Sequence, residues 1–303
     1  MISSIKLGRS TFAIVALLAT HSLSAVELGF DSAKVEAITG LKGTTNDKEG
    51  VFKVTSPRKD VPVKVESWSV PPFMGLTSWA AFKAGGKSAM VMGDLVLFED
   101  EVNPVMSALL QHGVAVTALH NHFLFDQPHV FFMHIGGEGT IEVLAGGVKA
   151  AFDTVAQTRA QHPEIGKQFT TQGLPEKSSI TPEPLEAIFA AKAARNSGMV
   201  KFVFGREVSM ECGCPAGAEM GVNTWAAMAG SDDNAVIDGD VAAKESELQA
   251  VLKSLRADGI NVVAIHHHMT GETPRMIFLH YWGRGKAAEL AASLQRARAM
   301  LGD

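Results

Sequence analysis

Cysteine is nearly absent. The 303 residues carry two, Cys212 and Cys214, both in the stretch ECGCP. A Cys-x-Cys bridge closes a very small ring and makes a poor structural staple. Three readings stay open for the pair: a labile redox couple, a soft-metal ligand pair, or two free buried thiols. Charge is also sparse, at 19% of residues with a net charge of −5 and no basic block. That argues against nucleic acid or an anionic membrane surface as the main partner. The chain has no Ser–His nucleophile motif and no glycine-rich phosphate loop, which leaves metal-assisted catalysis as the enzyme class that can be argued. Past the N-terminus no apolar run approaches the roughly 20 residues that a membrane-spanning helix needs.

What is present begins with the N-terminus. MISSIKLGRS supplies Lys6 and Arg9, TFAIVALLAT is a short apolar core, and HSLSA ends in small residues. These are the three regions of a secretory signal peptide, expected over residues 1–25, with cleavage after Ser24 or Ala25. The expectation is an exported protein, periplasmic or secreted, with no transmembrane segment after signal removal. No cysteine lies near the cut, so a lipid anchor is not expected.

The remaining chain is written twice. A segment beginning at Gly75 matches one beginning at Gly221 without a gap, at a constant offset of 221 − 75 = 146 residues. The offset lays Trp79 on Trp225, Asp94 on Asp240, Glu101 on Glu247, His120 on His266, His122 on His268 and His134 on His280. Upstream, after a small shift, Lys53 falls on Lys201 and Arg58 on Arg206. An ungapped match of this length marks an internal duplication. The division it predicts is a first repeat over 26–154, a polar, proline-bearing connection over 155–182, and a second repeat over 183–303.

Within each repeat, TSWAAFKA and SAMVMGDLVLF alternate as a strand pair. EDEVNPVMSALLQHG places Val102, Val105, Met106, Leu109 and Leu110 at helical spacing before a glycine stop. VAVTALHNHF and HVFFMHIGG are two more strands, and TIEVLAGGVKAAFDTVAQ is a second helix. The fold class predicted is α+β: two tandem β-β-α-β-β-α units related by a pseudo-two-fold axis, each an antiparallel sheet with helices on one face. VFKVTSPR and VPVKVESW are expected to extend the sheet. One fused sheet and two separate sheets both fit.

Duplication also separates signal from background. His112, His129 and His162 have no histidine counterpart, whereas three histidines per repeat do. On a strand, His120 and His122 would share one face about 6.6 Å apart. A hairpin centred on Gln127 would set His134 directly across from His120. His120, His122 and His134, and likewise His266, His268 and His280, are therefore the predicted ligands of a divalent transition metal. Zinc or copper come first and iron or nickel second, with a metal-free catalytic cluster as the other reading. Asp94 and Asp240 are candidates to orient a histidine from behind, or are turn residues. Glu101 and Glu247 are candidates for the same place, or cap a helix. Trp79, Trp225, Arg58 and Arg206 are candidate pocket residues, with core packing and edge-strand positions as the alternatives. The second repeat differs in having His267 for Asn121, and Cys212 and Cys214 for Glu66 and Trp68.

At ALHNHF…MHIGGEG and AIHHHM…LHYWGRG, with SWAAF…MGDLVL before them, the chain resembles the LppY/LpqO-type bacterial exported proteins. The resemblance covers nearly the whole mature chain. It implies an internally duplicated domain of unknown function and transfers no catalytic residue. Glycine, six residues and His-x-His, twice over, also resembles the first motif of a bicupin, although Asp126 stands where a cupin supplies glutamate and the second motif is absent. The functional expectation is an exported, histidine-rich metal-binding protein with metal-assisted hydrolytic activity. The alternatives are a non-catalytic binder of cell-envelope material or a small ligand, and a bicupin-like metalloenzyme.

Overall fold

The computed structural model describes residues 29–86, 88–166 and 173–302, so the expected signal peptide lies outside the described residues. Each repeat contributes six strands to one antiparallel sheet. In the first they are β1 (Gly43–Asn46), β2 (Val51–Pro57), β3 (Thr77–Gly85), β4 (Ser88–Phe98), β5 (Ala115–His120) and β6 (Val130–Gly139). In the second they are β7 (Ala194–Asn196), β8 (Met199–Gly205), β9 (Asn223–Ser231), β10 (Asn234–Lys244), β11 (Asn261–His266) and β12 (Met276–Gly285). Across the 12-stranded sheet the order is β1-β2-β3-β4-β6-β5-β11-β12-β10-β9-β8-β7. The duplication therefore builds one fused sheet rather than two. The sheet is open at β1 and β7 and does not close into the barrel that a bicupin requires, so that reading is corrected.

The halves meet where β5 pairs with β11 through Leu119 and Ile265. These two residues are equivalents under the 146-residue offset, 265 − 119 = 146, so the pseudo-two-fold axis runs through that pair. No further pair joins the two strands, and side-chain amides take over. Gln249 Nε2 donates to the Val116 carbonyl at 2.7 Å, and Gln249 Oε1 accepts from the Val116 amide at 3.1 Å. Its counterpart Asn103 makes the same two bonds to Val262, at 3.1 and 2.8 Å. Each repeat thus satisfies backbone groups of the other. Substituting alanine for Asn103 or Gln249 is expected to cost about 1–3 kcal/mol by stranding those groups. Urea unfolding of each variant measures this, and unchanged midpoints would remove the clasp from the account.

Six helices complete the fold: α1 (Ser32–Thr39), α2 (Val102–Gln111), α3 (Ile141–Gln161), α4 (Pro182–Phe189), α5 (Leu248–Ala257) and α6 (Ala287–Arg298). The helical spacing read in the sequence is the buried face of α2, since Val102, Val105, Met106, Leu109 and Leu110 are all buried. They join Val91, Leu95, Leu97, Met133 and Ile135 of the sheet and Leu144 and Val148 of α3 in one core that spans both repeats. Because α3 runs on to Gln161, the start of the expected connection is helix. VFKVTSPR joins the sheet as β2, whereas VPVKVESW does not. It forms a separate small sheet, Lys64–Val65 with Trp68–Ser69 and Asp126–Gln127.

Among the described residues the buried apolar side chains of all six α-helices belong to that one core, and the other face of the main sheet carries no α-helix. One end of it is covered in the first repeat by a minor apolar layer of Val63, Val70, Leu76, Val96, Phe98, Val130 and Phe132. Val208, Ala216, Val222, Ala242, Met276 and Phe278 do the same in the second. The histidines stand beside these layers.

Candidate metal centre

A bulge decides which way the first histidine of each triad points. β5 slips register against β6 between Val116 and Ala118, and β11 slips against β12 between Val262 and Ala264. Val116 and Leu119, three apart, both lie in the helix-side core, as do Val262 and Ile265. With side chains alternating at a period of two, an unbulged strand that buried Val116 would bury His120 as well. The extra residue reverses the alternation and turns His120 and His266 to the open face.

The expected hairpin centre is corrected. His120 stands across from Phe132, and His134 across from Ala118. The Asp126 carboxylate accepts from the Val130 amide at 2.7 Å and starts the return strand there, which centres the hairpin on Asp126 rather than Gln127. A centre moved by one residue moves the register by two, so every side chain keeps its face and the cluster survives. Ring centroids of His120 lie 5.2 Å from His122 and 5.0 Å from His134. In the second repeat His266 lies 5.2 Å from His268 and 4.9 Å from His280. His122 and His268 sit beyond the ends of their strands and lie flat on Phe132 and Phe278, at 3.3 and 3.6 Å between centroids.

The aspartates stand among them. Asp94 pairs directly with His134 on one side and Trp79 on the other, and Asp240 pairs with His280 and Trp225. Asp240 is 1% exposed, and its Oδ2 lies 3.1 Å from His268 Nε2. Among the described residues, one atom each from Asp240, His266 and His268 lie within 4.8 Å of one another. Asp240 thus stands among the donor atoms that could hold a metal ion, with His280 as their neighbour. Two backbone carbonyls orient the rings: His268 Nδ1–H donates to Gly221 at 3.1 Å and His280 Nδ1–H to Gly239 at 3.2 Å. Each bond fixes the tautomer that leaves Nε2 with its lone pair free. Gly221 has φ of 84°, a backbone turn that a glycine adopts without strain.

Two buried atoms of this cluster, Asp240 Oδ1 and His266 Nε2, have no hydrogen-bond partner, and Asp94 Oδ1 repeats the pattern in the first repeat. Leaving such acceptors unsatisfied costs about 1–3 kcal/mol each. A cation between them would satisfy them, and mixed imidazole and carboxylate donors suit zinc, copper, iron or nickel. Burial holds His266 below the ordinary histidine range, against the pull of the Asp240 charge. His122 is lowered likewise, by burial first and then by His120. Both are thus kept neutral, as ligation requires. An unfolded histidine binds its proton near pH 6.5, so the unfolded chain takes up more protons than the folded one as pH falls. Stability of the metal-free protein is present above that pH and lost below it. Thermal midpoints read from about pH 7.5 down to 5 should fall, and His266→Gln should flatten the fall.

The remaining sequence candidates are engaged elsewhere. Arg58 makes two bonds to Glu101, at 2.6 and 3.0 Å, and Arg206 two to Glu247, at 2.5 and 3.1 Å. These four residues pair as two couples, tying the chain just past the end of β2 or β8 to the start of α2 or α5, and are not grouped with the histidines. Arg206 does line a cavity of about 770 Å³ with Phe204, Lys244 and Arg298, but that cavity contains no histidine and no Trp225. Cys212 and Cys214 form a disulfide on an exposed loop. They are exposed and bonded to one another, so they are not free buried thiols in this structure.

A family model described as Domain of Unknown Function (DUF1259) matches residues 33–154 and again 183–300. The chain belongs to that family. The family's domain is thus present twice, each copy carrying one of the clusters. No curated protein and no solved structure matches the chain. Among the described residues no helix is long and apolar enough to cross a membrane.

Proposed function

We propose that this DUF1259 protein is an exported metal-binding protein of the LppY/LpqO type, with a divalent transition metal held in the second repeat by Asp240, His266 and His268. The observation that carries the reading is the pair of buried, unpartnered atoms, Asp240 Oδ1 and His266 Nε2, on two residues of a group whose donor atoms lie within 4.8 Å of one another. His280 packs against His266 and closes one side. His268, half a turn of loop beyond its strand, closes the other over Phe278. Zinc and copper head the expected metals and iron and nickel follow. When bound with an open position, such a metal acidifies a coordinated water and acts as a Lewis acid, the basis for hydrolytic chemistry. The chain's own part is to favour neutral His266 by burial and to leave the site open on the face opposite the helices, where a small-molecule or cell-envelope ligand has access. The Trp79 and Trp225 rings on that face favour a second reading, a binder without catalysis.

The test is metal content of untagged protein from its native compartment, beside His120→Ala/His134→Ala and His266→Ala/His280→Ala variants. About one equivalent, lost with the second variant alone, is the expected result. A wild type that carries none, and takes up none of the four metals, would end the metal reading and leave the binder.

A further inference from the structure

Each cluster has an ammonium group beside it that the metal reading leaves unused. Lys201 Nζ lies 4.4 Å from the Trp225 ring centroid, and Lys53 Nζ 4.1 Å from that of Trp79. Cation–π contact at such distances holds a cation without neutralising it. Among the described residues neither lysine is paired with a carboxylate, although lysines such as Lys34, Lys42, Lys149 and Lys192 are. The arrangement is kept in both repeats and is tied to the site by register. Val203 pairs with Trp225, Trp225 with Asp240, and Asp240 with His280. Lys201 pairs with Ala227, two residues from Trp225, and so projects from the same face of the sheet. Its ammonium group lies over the indole of Trp225, the residue directly across from Asp240. Between them on that face stand the half-buried Trp225 and the small Ala227, and the exposed Asp238 pairs with Ala227 on its far side. The donors supply one negative charge, so a divalent cation bound there leaves net positive charge, and the Lys201 ammonium adds a second positive charge on the same face, with the Asp238 carboxylate beyond Ala227.

We infer that the second-repeat site takes a small oxyanion-bearing ligand, a carboxylate or phosphate, which one oxygen links to the metal and another to Lys201 lifted from the Trp225 ring. This rests on the proposed metal centre and adds the chemical class of its ligand. Lys201 is a binding residue in this account, and Trp225 parks it until the anion arrives.

Cobalt reports both steps, because its visible bands respond to each change of coordination. The full mature chain is loaded with cobalt and titrated separately with inorganic phosphate and with acetate, which distinguishes the two anion sources. Saturable band shifts with at least one anion are expected. Lys201→Gln should weaken that anion about tenfold, the loss expected for one charge-assisted hydrogen bond, with cobalt affinity unchanged. Lys201→Arg should retain most of the affinity, and Lys53→Gln, in the other repeat, all of it. Bands that ignore both anions, or equal anion affinity in Lys201→Gln and wild type, would overturn the inference while leaving the metal centre standing. Failure to take up cobalt at all would overturn both.

Discussion

Asp240→Asn should lower the metal affinity of the second repeat by at least about 100-fold, the upper end of the loss seen when even an outer partner of a metal ligand is removed. Asparagine keeps the size and can donate to the His268 Nε2 lone pair, but it removes the carboxylate charge from the group of atoms within 4.8 Å of one another. The same change should make the metal-free protein more stable, by about 1 kcal/mol. Asp240 is 1% exposed with one oxygen unpartnered, so without a cation it is a buried charge incompletely paired. Opposite signs for affinity and stability are what a binding role produces. A purely structural aspartate would lose stability and leave metal uptake alone. Zinc competition titration and urea unfolding of one variant read both quantities, and Asp94→Asn serves as the matched change in the other repeat.

Glu101→Ala should be the most destabilising single change considered, at about 3–5 kcal/mol, the cost of breaking a buried ion pair from one side. Glu101 is fully buried. It accepts two bonds from Arg58 and one from the Phe98 amide, and Arg159 Nε lies 2.8 Å away. Its removal leaves two guanidinium groups out of water with only Asp60 and Asp100 nearby. Glu247 has a single arginine partner and a side chain 10% exposed, so Glu247→Ala should cost less, about 1–3 kcal/mol. Equal losses in urea unfolding would contradict this reading of the two pairs. Metal content should not change in either variant.

These two predictions mark where the sequence was legible. The duplication, the helix over Val102–Gln111 and the six histidines could be read because each depends on spacing along the chain. The fused sheet could not, because it rests on one strand pair and on Asn103 and Gln249, amides that look like ordinary helix surface. The bulge left a trace in the sequence: Val116 and Leu119 are apolar three residues apart, where a regular half-buried strand would place them two apart. The approach of Asp240 to His268 could not be read from the sequence, because it depends on a loop ring folding back over Phe278, a contact that no strand period encodes. Glu101 and Arg58 were treated as separate candidates because their pairing joins positions 43 residues apart.

The central claim is that imidazole and carboxylate of the second repeat, rather than Cys212 and Cys214, hold the metal. X-ray absorption of the protein loaded with one equivalent of zinc tests it most directly. The account predicts a nitrogen and oxygen shell near 2.0–2.1 Å with imidazole scattering beyond it, lost in His266→Ala/His280→Ala and unaltered in Cys212→Ser/Cys214→Ser. Sulfur at about 2.3 Å, or a shell that survives the histidine changes, would contradict it.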